Sequence, residues 1–236
     1  MIPKRFIRVW VGPKPIPELF EKWWIDFQKI HPDYSFVTIA DSSRLLRRRP
    51  SNEKHQYVSA DSFWKSSDTP YHHLHGLYKD ASTYSGRSDY LRLIALYELG
   101  GIYADTDMMP LKSFAPLLED DRTFVGLRSA VSFATGVIGG RKGANTFEDA
   151  FSAFPAWLEA HKDRSCSVAT GPGFISNVWF GREDVNHMPI GYFYPYNGFG
   201  QPKKDVRLEM FSTKDFPDEM YAAHFGNHGW GGKPKD

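Results

Sequence analysis

Hydrophobic and polar positions over the first 40 residues follow the pattern of a strand, a helix and a second strand. Residues 5–11 (RFIRVWV) alternate well enough to predict a buried strand, and residues 34–40 (YSFVTIA) predict another. Between them, residues 18–31 have helical spacing, with Pro17 in the first turn and Pro32 at the end. A β-α-β opening is typical of an α/β sheet with right-handed crossovers, in which ligands bind at the carboxyl ends of strands.

The rest of the chain continues this alternation. Helical periodicity returns from about Leu77 to Leu99, and Gly100-Gly101 predicts a sharp stop. Residues 42–76 predict a short basic helix followed by a polar loop. The later pattern predicts strands at 102–110, 123–127, 131–140 and 190–196, and a helix at 147–161. Because no boundary stands out, we expect one α/β domain over residues 1–236, with a mixed central sheet flanked by helices.

Composition narrows the function classes. The 236 residues carry 29 Lys and Arg against 28 Asp and Glu, a net charge of +1, so no global attraction to nucleic acid is expected. The single cysteine, Cys166, excludes an intrachain disulfide and fits a reducing compartment. No apolar run approaches the roughly 20 residues of a membrane span, and the N-terminus does not resemble a signal peptide. We therefore expect a cytoplasmic protein, with contact at the inner membrane surface as a further option.

The strongest local signal is Asp105-Thr106-Asp107, at the end of an apolar strand that follows the double glycine. Carboxylates one residue apart in a strand point to opposite faces, but a bend at the strand exit lets both reach one hard cation. Such oxygen ligands suit Mg²⁺ or Mn²⁺. The alternative for so short a motif is a polar turn with a helix-capping Asp.

A second polar pair precedes the acidic motif. Asp89 and Arg92 are three residues apart, and therefore neighbours on one face of the predicted helix. Because this helix leads directly into the acidic strand, the pair is expected beside the metal, with the Arg suited to a diphosphate and the Asp to sugar hydroxyls. The alternative is a solvated ion pair on a surface helix.

The stretch SDYLRLIALYELGGIYADTDMMPLKSF resembles the core of the DXD-containing sugar transferases of glycosyltransferase family 32 and their relatives, the large clostridial glucosylating toxins. The family pattern is Ser-Asp-x-x-Arg, then Leu-Tyr-x-x-Gly-Gly-Ile-Tyr-x-Asp-x-Asp, and every element is present. The opening IPKRFIRVWVG, the turn Thr170-Gly171-Pro172 and the tail AAHFGNHGW also resemble the family. The resemblance implies a GT-A type nucleotide-sugar-binding fold.

The resemblance also implies roles for individual residues. Trp10 would stack on the nucleotide base, and Trp230 would donate its indole N–H to the β-phosphate. His224 would complete a metal shell with Asp105 and Asp107, where imidazole suits Mn²⁺ better than Mg²⁺. The expected catalytic residues are Asp89, Arg92, Asp105 and Asp107. The expected donor site comprises Val9, Trp10, Asp89, Arg92, Tyr103, Ala104, Asp105 and Trp230.

Two departures from the family leave assignments open. The tail keeps His224 and Trp230 in register but has His228 where a small residue is usual, so either histidine is a candidate metal ligand. An Asn that usually begins the strand after the acidic motif is missing, and Ser132 or Thr135 stands near its place. The glycine-rich residues 226–236 are a candidate lid over bound donor.

These features predict a retaining, metal-dependent transfer of a hexose from a GDP- or UDP-linked donor to a glycan or lipid-linked acceptor. Breaking the anomeric bond leaves negative charge on the β-phosphate, which a divalent cation and aimed donors stabilise. Since no carboxylate nucleophile is evident, the hypothesis is front-side attack without an essential general base.

Two alternatives stay open. One is a nucleotide-sugar-binding module that has lost turnover, and the other is an Asp-dependent phosphotransferase. The basic residues of the 42–76 segment, if they are not merely a solvated helix, suit peripheral contact with an acceptor or an anionic membrane surface.

Overall fold

The computed structural model describes residues 1–41, 54–195 and 211–226. Nine strands and six α-helices are described there, with short 3₁₀ turns between them. The strands are β1 Arg5–Trp10, β2 Ser35–Ala40, β3 His55–Ser59, β4 Gly101–Ala104, β5 Met108–Pro110, β6 Thr123–Ser129, β7 Ser132–Gly140, β8 Val185–Met188 and β9 Ala222–His224. The helices are α1 Glu18–Ile30, α2 His75–Asp80, α3 Tyr84–Leu99, α4 Asn145–His161, α5 Cys166–Ala169 and α6 Pro172–Trp179.

Seven strands form a mixed sheet in the order β3-β2-β1-β4-β7-β6-β8. Strands β1 to β4 pair in parallel, whereas β7 runs antiparallel to both β4 and β6. Strands β5 and β9 form a separate antiparallel pair, in which Met108 faces His224. This second pairing brings the last described strand next to the acidic motif. The mixed central sheet flanked by helices confirms the predicted fold class.

The predicted β-α-β opening is confirmed, and its packing explains why it forms. Helix α1 buries Phe20, Trp23, Trp24 and Phe27, the stripe that its helical spacing predicts. Within β1, the fully buried Arg8 pairs with Glu21 of the helix at 2.8 Å and lies over the ring of Trp24 at 4.6 Å. A buried cation is tolerated here because it is paired with a carboxylate and stacked on an aromatic ring.

The helical stretch predicted from Leu77 to Leu99 is two helices. Helix α2 ends at Asp80, and α3 begins after Thr83, whose hydroxyl accepts the N–H of Gly86 at 3.0 Å. The predicted stop is confirmed, because Gly100 and Gly101 have φ of 62° and 121°. A side chain at Gly101 would lie 2.6 Å from the carbonyl oxygen of Arg5, so only glycine fits between α3 and β4.

Three other predictions differ from the structure or lie outside it. The strand predicted at 190–196 is wrong over its described part: Pro189 starts a 3₁₀ turn at Ile190–Tyr192, and the nearby strand is β8. The loop predicted at residues 66–76 contains a 3₁₀ turn at His72–Leu74 and the start of α2, and strand β3 lies before it, where the sequence predicted no element. The basic helix predicted at residues 44–50 lies outside the described residues. The pair of strands at 123–127 and 131–140 is confirmed as β6 and β7.

Helix α4 confirms the helix predicted at 147–161, although Pro155 lies inside it. A proline cannot donate to the carbonyl four residues earlier. That carbonyl, on Phe151, instead lies 3.1 Å from Nε2 of His73, which donates to it.

Among the described residues, no helix combines the length and apolar character that crossing a bilayer requires.

Candidate active site

A cavity of about 420 Å³ lies at the carboxyl ends of β1 and β4, the edge where the sequence predicted a ligand site. Eight of the site residues that the sequence analysis predicted line this cavity: Val9, Trp10, Asp89, Arg92, Tyr103, Asp105, Asp107 and His224. Ala104 does not line it, because its side chain is fully buried in the core beneath the sheet edge. Trp230, His228 and the rest of the predicted lid beyond Gly226 lie outside the described residues.

Asp105, Asp107 and His224 form the candidate metal centre. Nε2 of His224 lies 3.3 Å from Oδ2 of Asp105 and 3.3 Å from Oδ1 of Asp107. The three ligand atoms lie within 4.8 Å of one another, and within the described ranges they are the one such group of His, Cys, Asp and Glu side chains. Two carboxylates and one imidazole, open to a cavity, suit Mn²⁺ or Mg²⁺ with positions left for phosphate oxygens.

Backbone geometry brings these ligands together. Strand β4 ends at Ala104, and the turn that follows lets both carboxylates reach one point, as the strand-exit argument predicts. Opposite them, a Cβ at Gly136 would lie 3.2 Å from Oδ2 of Asp105, so the glycine leaves room for the carboxylate. The β5–β9 pairing supplies His224 from a distant part of the chain.

The charges within the cluster shift the pKa values of His224 and Asp105. Burial lowers the pKa of His224, but the carboxylates of Asp107 and Asp105 outweigh burial and raise that pKa to about 10. Burial raises the pKa of Asp105, whereas Arg92 and His224 lower it, with a net value of about 2. The carboxylate of Asp105 is thus kept charged, and a cation at the cluster would take the place of the imidazolium proton of His224.

Asp89 and Arg92 are buried in the cavity wall, only 6% and 7% exposed, so the solvated surface pair is excluded. Arg92 contacts Oδ1 of Asp89 at 3.0 Å and Oδ1 of Asp105 at 3.6 Å, and donates to the carbonyl of Thr135 at 2.6 Å. Its guanidinium lies 4.7 Å from the ring centre of Tyr103, whose hydroxyl donates to Oδ1 of Asp105 at 2.6 Å. Arg92 therefore links the carboxylate of Asp89 to that of Asp105.

Trp10 also lines the cavity and is 5% exposed. Its indole N–H donates to the carbonyl of Lys14 at 2.8 Å, which fixes the ring beside the loop after β1. The same loop is held by Asp41, whose Oδ1 accepts the N–H of Gly12 at 2.8 Å. Stacking of a base on Trp10 stays a prediction.

Several residues that line the cavity or hold its lining residues were not assigned by sequence reasoning. Thr170 donates its hydroxyl to Oδ2 of Asp89 at 2.7 Å, and Arg128 lines the cavity from β6. Of the two candidates for the missing Asn, Thr135 lines the cavity, whereas Ser132 does not and instead contacts Ser129 at 2.6 Å. The Thr-Gly-Pro turn was the available signal for Thr170; nothing local marks Arg128.

Comparison with known proteins defines the class. A family model described as "Glycosyltransferase sugar-binding region containing DXD motif" matches residues 17–124. The match covers less than half of the 236 residues, and over that part it confirms the resemblance stated from the sequence.

Individual relatives sharpen the comparison. The chain is 28% identical over 185 residues to Inositol phosphoceramide mannosyltransferase 3 of Schizosaccharomyces pombe, with 75% of this chain covered. It spans 45% of the length of that relative.

Solved structures agree on the fold. The PaToxG glycosyltransferase superposes with a TM-score of 0.60 at 22% identity, covering 76% of this chain and 69% of the other. The UDP-bound glycosyltransferase domain of the YGT toxin gives 0.61 at 12% identity, with 79% of each chain covered. The galactosyltransferase LgtC gives 0.57 at 13% identity, with 95% and 87% covered. The fold is the GT-A type of these glycosyltransferases.

Proposed function

We propose that this protein is a retaining, metal-dependent glycosyltransferase that moves a hexose from a GDP- or UDP-linked donor to a glycan or lipid-linked acceptor. The observation that carries the proposal is the Asp105–Asp107–His224 cluster, which opens into the same cavity as the buried Asp89–Arg92 pair. A diphosphate at the cluster would place its sugar beside Asp89, whose carboxylate suits sugar hydroxyls.

The donor set favours Mn²⁺, with Mg²⁺ as the alternative, because imidazole is a better ligand for the softer cation. Such a cation, when bound, neutralises the negative charge that develops on the leaving phosphate. Residues of the chain supply the rest of the donor site. Trp10 would hold the base, Tyr103 orients Asp105, and Arg92 holds Asp89 and Asp105 in fixed relation. Trp230 is kept as the proposed indole donor to the β-phosphate.

The contacts that hold the carboxylates of the cavity support the proposal of retention by front-side attack. The described acidic residues that line the cavity are Asp89, Asp105 and Asp107. Asp89 is held by Arg92 and Thr170, and the other two belong to the metal cluster. A double-displacement mechanism needs a carboxylate free to attack the anomeric carbon. The leaving phosphate is therefore the proposed acceptor of the proton from the incoming hydroxyl.

The names of the relatives support the acceptor and sugar classes. One relative is a mannosyltransferase named for inositol phosphoceramide, which favours mannose and a lipid-linked acceptor. One structural neighbour binds UDP, which keeps a uridine donor in the proposal. A cytoplasmic location and contact with a membrane surface stay sequence-based predictions.

A thermal-shift panel of GDP- and UDP-sugars, with and without Mn²⁺, tests the proposal. A donor at 100 times its dissociation constant stabilises the fold by about 2.7 kcal/mol, or roughly 5–10 °C for a domain of this size. Asp107→Asn is expected to abolish the Mn²⁺-dependent part of the shift, because it removes a charged ligand of nearly the same shape. Asp163→Asn, at an exposed position outside the cavity, is the matched control.

An Asp107→Asn protein that keeps the full Mn²⁺-dependent shift would refute the ligand assignment. Donor hydrolysis in the same samples separates a transferase from a silent binding module, since a module binds the donor without releasing free sugar. The phosphotransferase alternative has no support among the comparisons, and release of phosphate from a generic ester would be its signature.

A further inference from the structure

The hairpin of β6 and β7 contains an irregularity beside the cavity. Leu127 pairs with Phe133 and Ser129 pairs with Ser132, so Arg128 has no residue opposite it. Such an extra residue is a β-bulge, which bends the strand and re-aims a side chain, often next to an active site. Here the re-aimed side chain is Arg128, and it lines the cavity.

Arg128 differs from Arg92, the other arginine of the cavity wall. Arg92 is buried and engaged by Asp89, Asp105 and the carbonyl of Thr135. Arg128 is exposed, and within residues 1–41, 54–195 and 211–226 its guanidinium makes no ion pair or hydrogen bond. In the described part of the chain, no carboxylate forms an ion pair with this positive charge at the cavity.

The sheet order shows which part of the cavity Arg128 serves. Trp10 lies on β1, the acidic motif follows β4, and β7 and then β6 lie beyond it. Gly136 marks the level of the metal cluster, because its Cβ position is 3.2 Å from Asp105. Gly136 lies two residues from Ala134, which pairs with Gly126, and Arg128 lies two residues further on. Strand β6 is also the second strand beyond β4, which places the backbone of Arg128 roughly 10 Å across the sheet from the strand that leads into the acidic motif.

A donor with its base at Trp10 and its diphosphate at the cluster would run from β1 towards β4, and β6 with Arg128 lies beyond that line in the sheet. The space in front of Arg128 lies beyond the transferred sugar, where the acceptor must enter. We propose that Arg128 binds a phosphate group on the acceptor, so that this subsite selects phosphate-bearing acceptors over neutral ones. Guanidinium binds phosphate through two parallel, charge-assisted hydrogen bonds, which gives both affinity and orientation.

The inference rests on the proposed function, since it assigns the acceptor side of the same site. The phosphate has two sources to distinguish, a soluble sugar phosphate and a phosphodiester lipid headgroup. The tip of the same hairpin exposes Val131, which is 74% exposed. An exposed apolar side chain close to Arg128 would suit contact with a lipid, so the lipid source is tested in a separate experiment.

The test uses the full chain saturated with Mn²⁺ and with the nucleoside diphosphate chosen by the thermal-shift panel. NMR titration compares myo-inositol 1-phosphate with myo-inositol as soluble probes. Wild type is expected to bind the phosphorylated probe about tenfold more tightly, and Arg128→Gln is expected to remove that preference. Arg128→Lys should keep part of it, because it retains the charge but loses the planar fork.

A second arm measures co-sedimentation with phosphatidylcholine vesicles that do or do not contain phosphatidylinositol. Binding that requires phosphatidylinositol and Arg128 assigns the phosphate to a lipid headgroup, whereas a preference only for the soluble probe assigns it to a free sugar phosphate. Arg164→Gln, an exposed arginine outside the cavity lining, is the control and should behave as wild type in both arms.

Absence of a phosphate preference in both arms, or a preference that survives in Arg128→Gln, would overturn the inference. An unfolding temperature of Arg128→Gln within about 2 °C of wild type excludes misfolding as the cause. Failure of the proposed function is read separately, because it appears as absence of any Mn²⁺ and nucleotide shift in wild type.

Discussion

The carboxylate of Asp89 is held from two sides in the cavity wall. Oδ1 faces Arg92 at 3.0 Å, and Oδ2 accepts the hydroxyl of Thr170 at 2.7 Å. Burial nevertheless dominates and raises the pKa of Asp89 to about 6, with Arg92 and Thr170 acting in the opposite direction. A carboxylate with so high a pKa depends on each of its partners to stay charged near neutral pH.

Thr170→Val should therefore raise the pKa of Asp89 further, because it removes a hydrogen bond that favours the charged form. We expect the kcat/KM of donor hydrolysis to fall about tenfold near pH 6.5, and its acid limb to move to higher pH. Thr170→Ser keeps the hydroxyl and should restore both. If the pH profile of kcat/KM for Thr170→Val has the same shape as that of wild type and differs only in height, Thr170 contributes packing and does not tune the pKa of Asp89.

At the scale of elements, the turn at His72–Leu74 supplies a hydrogen-bond donor that helix α4 lacks. Pro155 deprives the Phe151 carbonyl of its helical donor, and the imidazole of His73 replaces that donor from outside the helix. Sequence periodicity predicted the helix despite its proline. Only the packing of a segment 78 residues earlier in the chain shows how the exposed carbonyl is satisfied.

This pairing predicts non-additive stabilities. His73→Ala should lower the free energy of unfolding by about 1 kcal/mol, because it leaves the Phe151 carbonyl without its donor. In a Pro155→Ala background the helix can supply the missing N–H, so the same His73 substitution should cost close to nothing. Urea unfolding of the four proteins measures this coupling. Equal costs of His73→Ala in both backgrounds would contradict the pairing.

At the scale of the whole molecule, His31 joins the end of α1 to the segment before β6. Nδ1 of His31 donates to the carbonyl of Phe27 at 2.9 Å, and Nε2 accepts the N–H of Phe114 at 2.9 Å. Burial lowers the pKa of His31 below its model-peptide value of 6.5, against smaller contributions from Phe27 and Asp33 that raise it. The ring is neutral in the fold, because a second N–H would collide with its donor partner.

Acidification should therefore destabilise the protein through His31. Below about pH 6.5 the unfolded chain takes up a proton that the folded ring resists, so stability is full above this pH and is lost as pH falls. The loss approaches 1.4 kcal/mol per pH unit until the folded pKa is reached. Unfolding of wild type and His31→Gln between pH 5 and 8 isolates this contribution, and identical pH slopes would contradict it.

Much of the fold and part of the site followed from local sequence. The β-α-β opening, the glycine stop at Gly100-Gly101 and the acidic pair at a strand exit depend on contacts between near neighbours, which periodicity and motif spacing report directly. Family resemblance added His224 and the donor-site residues. The strand predicted after Pro189 was wrong because an aromatic run alone cannot separate a 3₁₀ turn from a strand.

The sequence by itself thus determined the α/β class, the two candidate metal ligands in the turn after β4 and the Asp89–Arg92 pair. Tertiary structure alone decided that His224 reaches those ligands through the β5–β9 pairing, that Thr170 holds Asp89, and that a bulge turns Arg128 into the cavity. The reason is physical: strand register, burial and electrostatic environment arise between segments far apart in the chain, and no local pattern encodes the distance at which they meet.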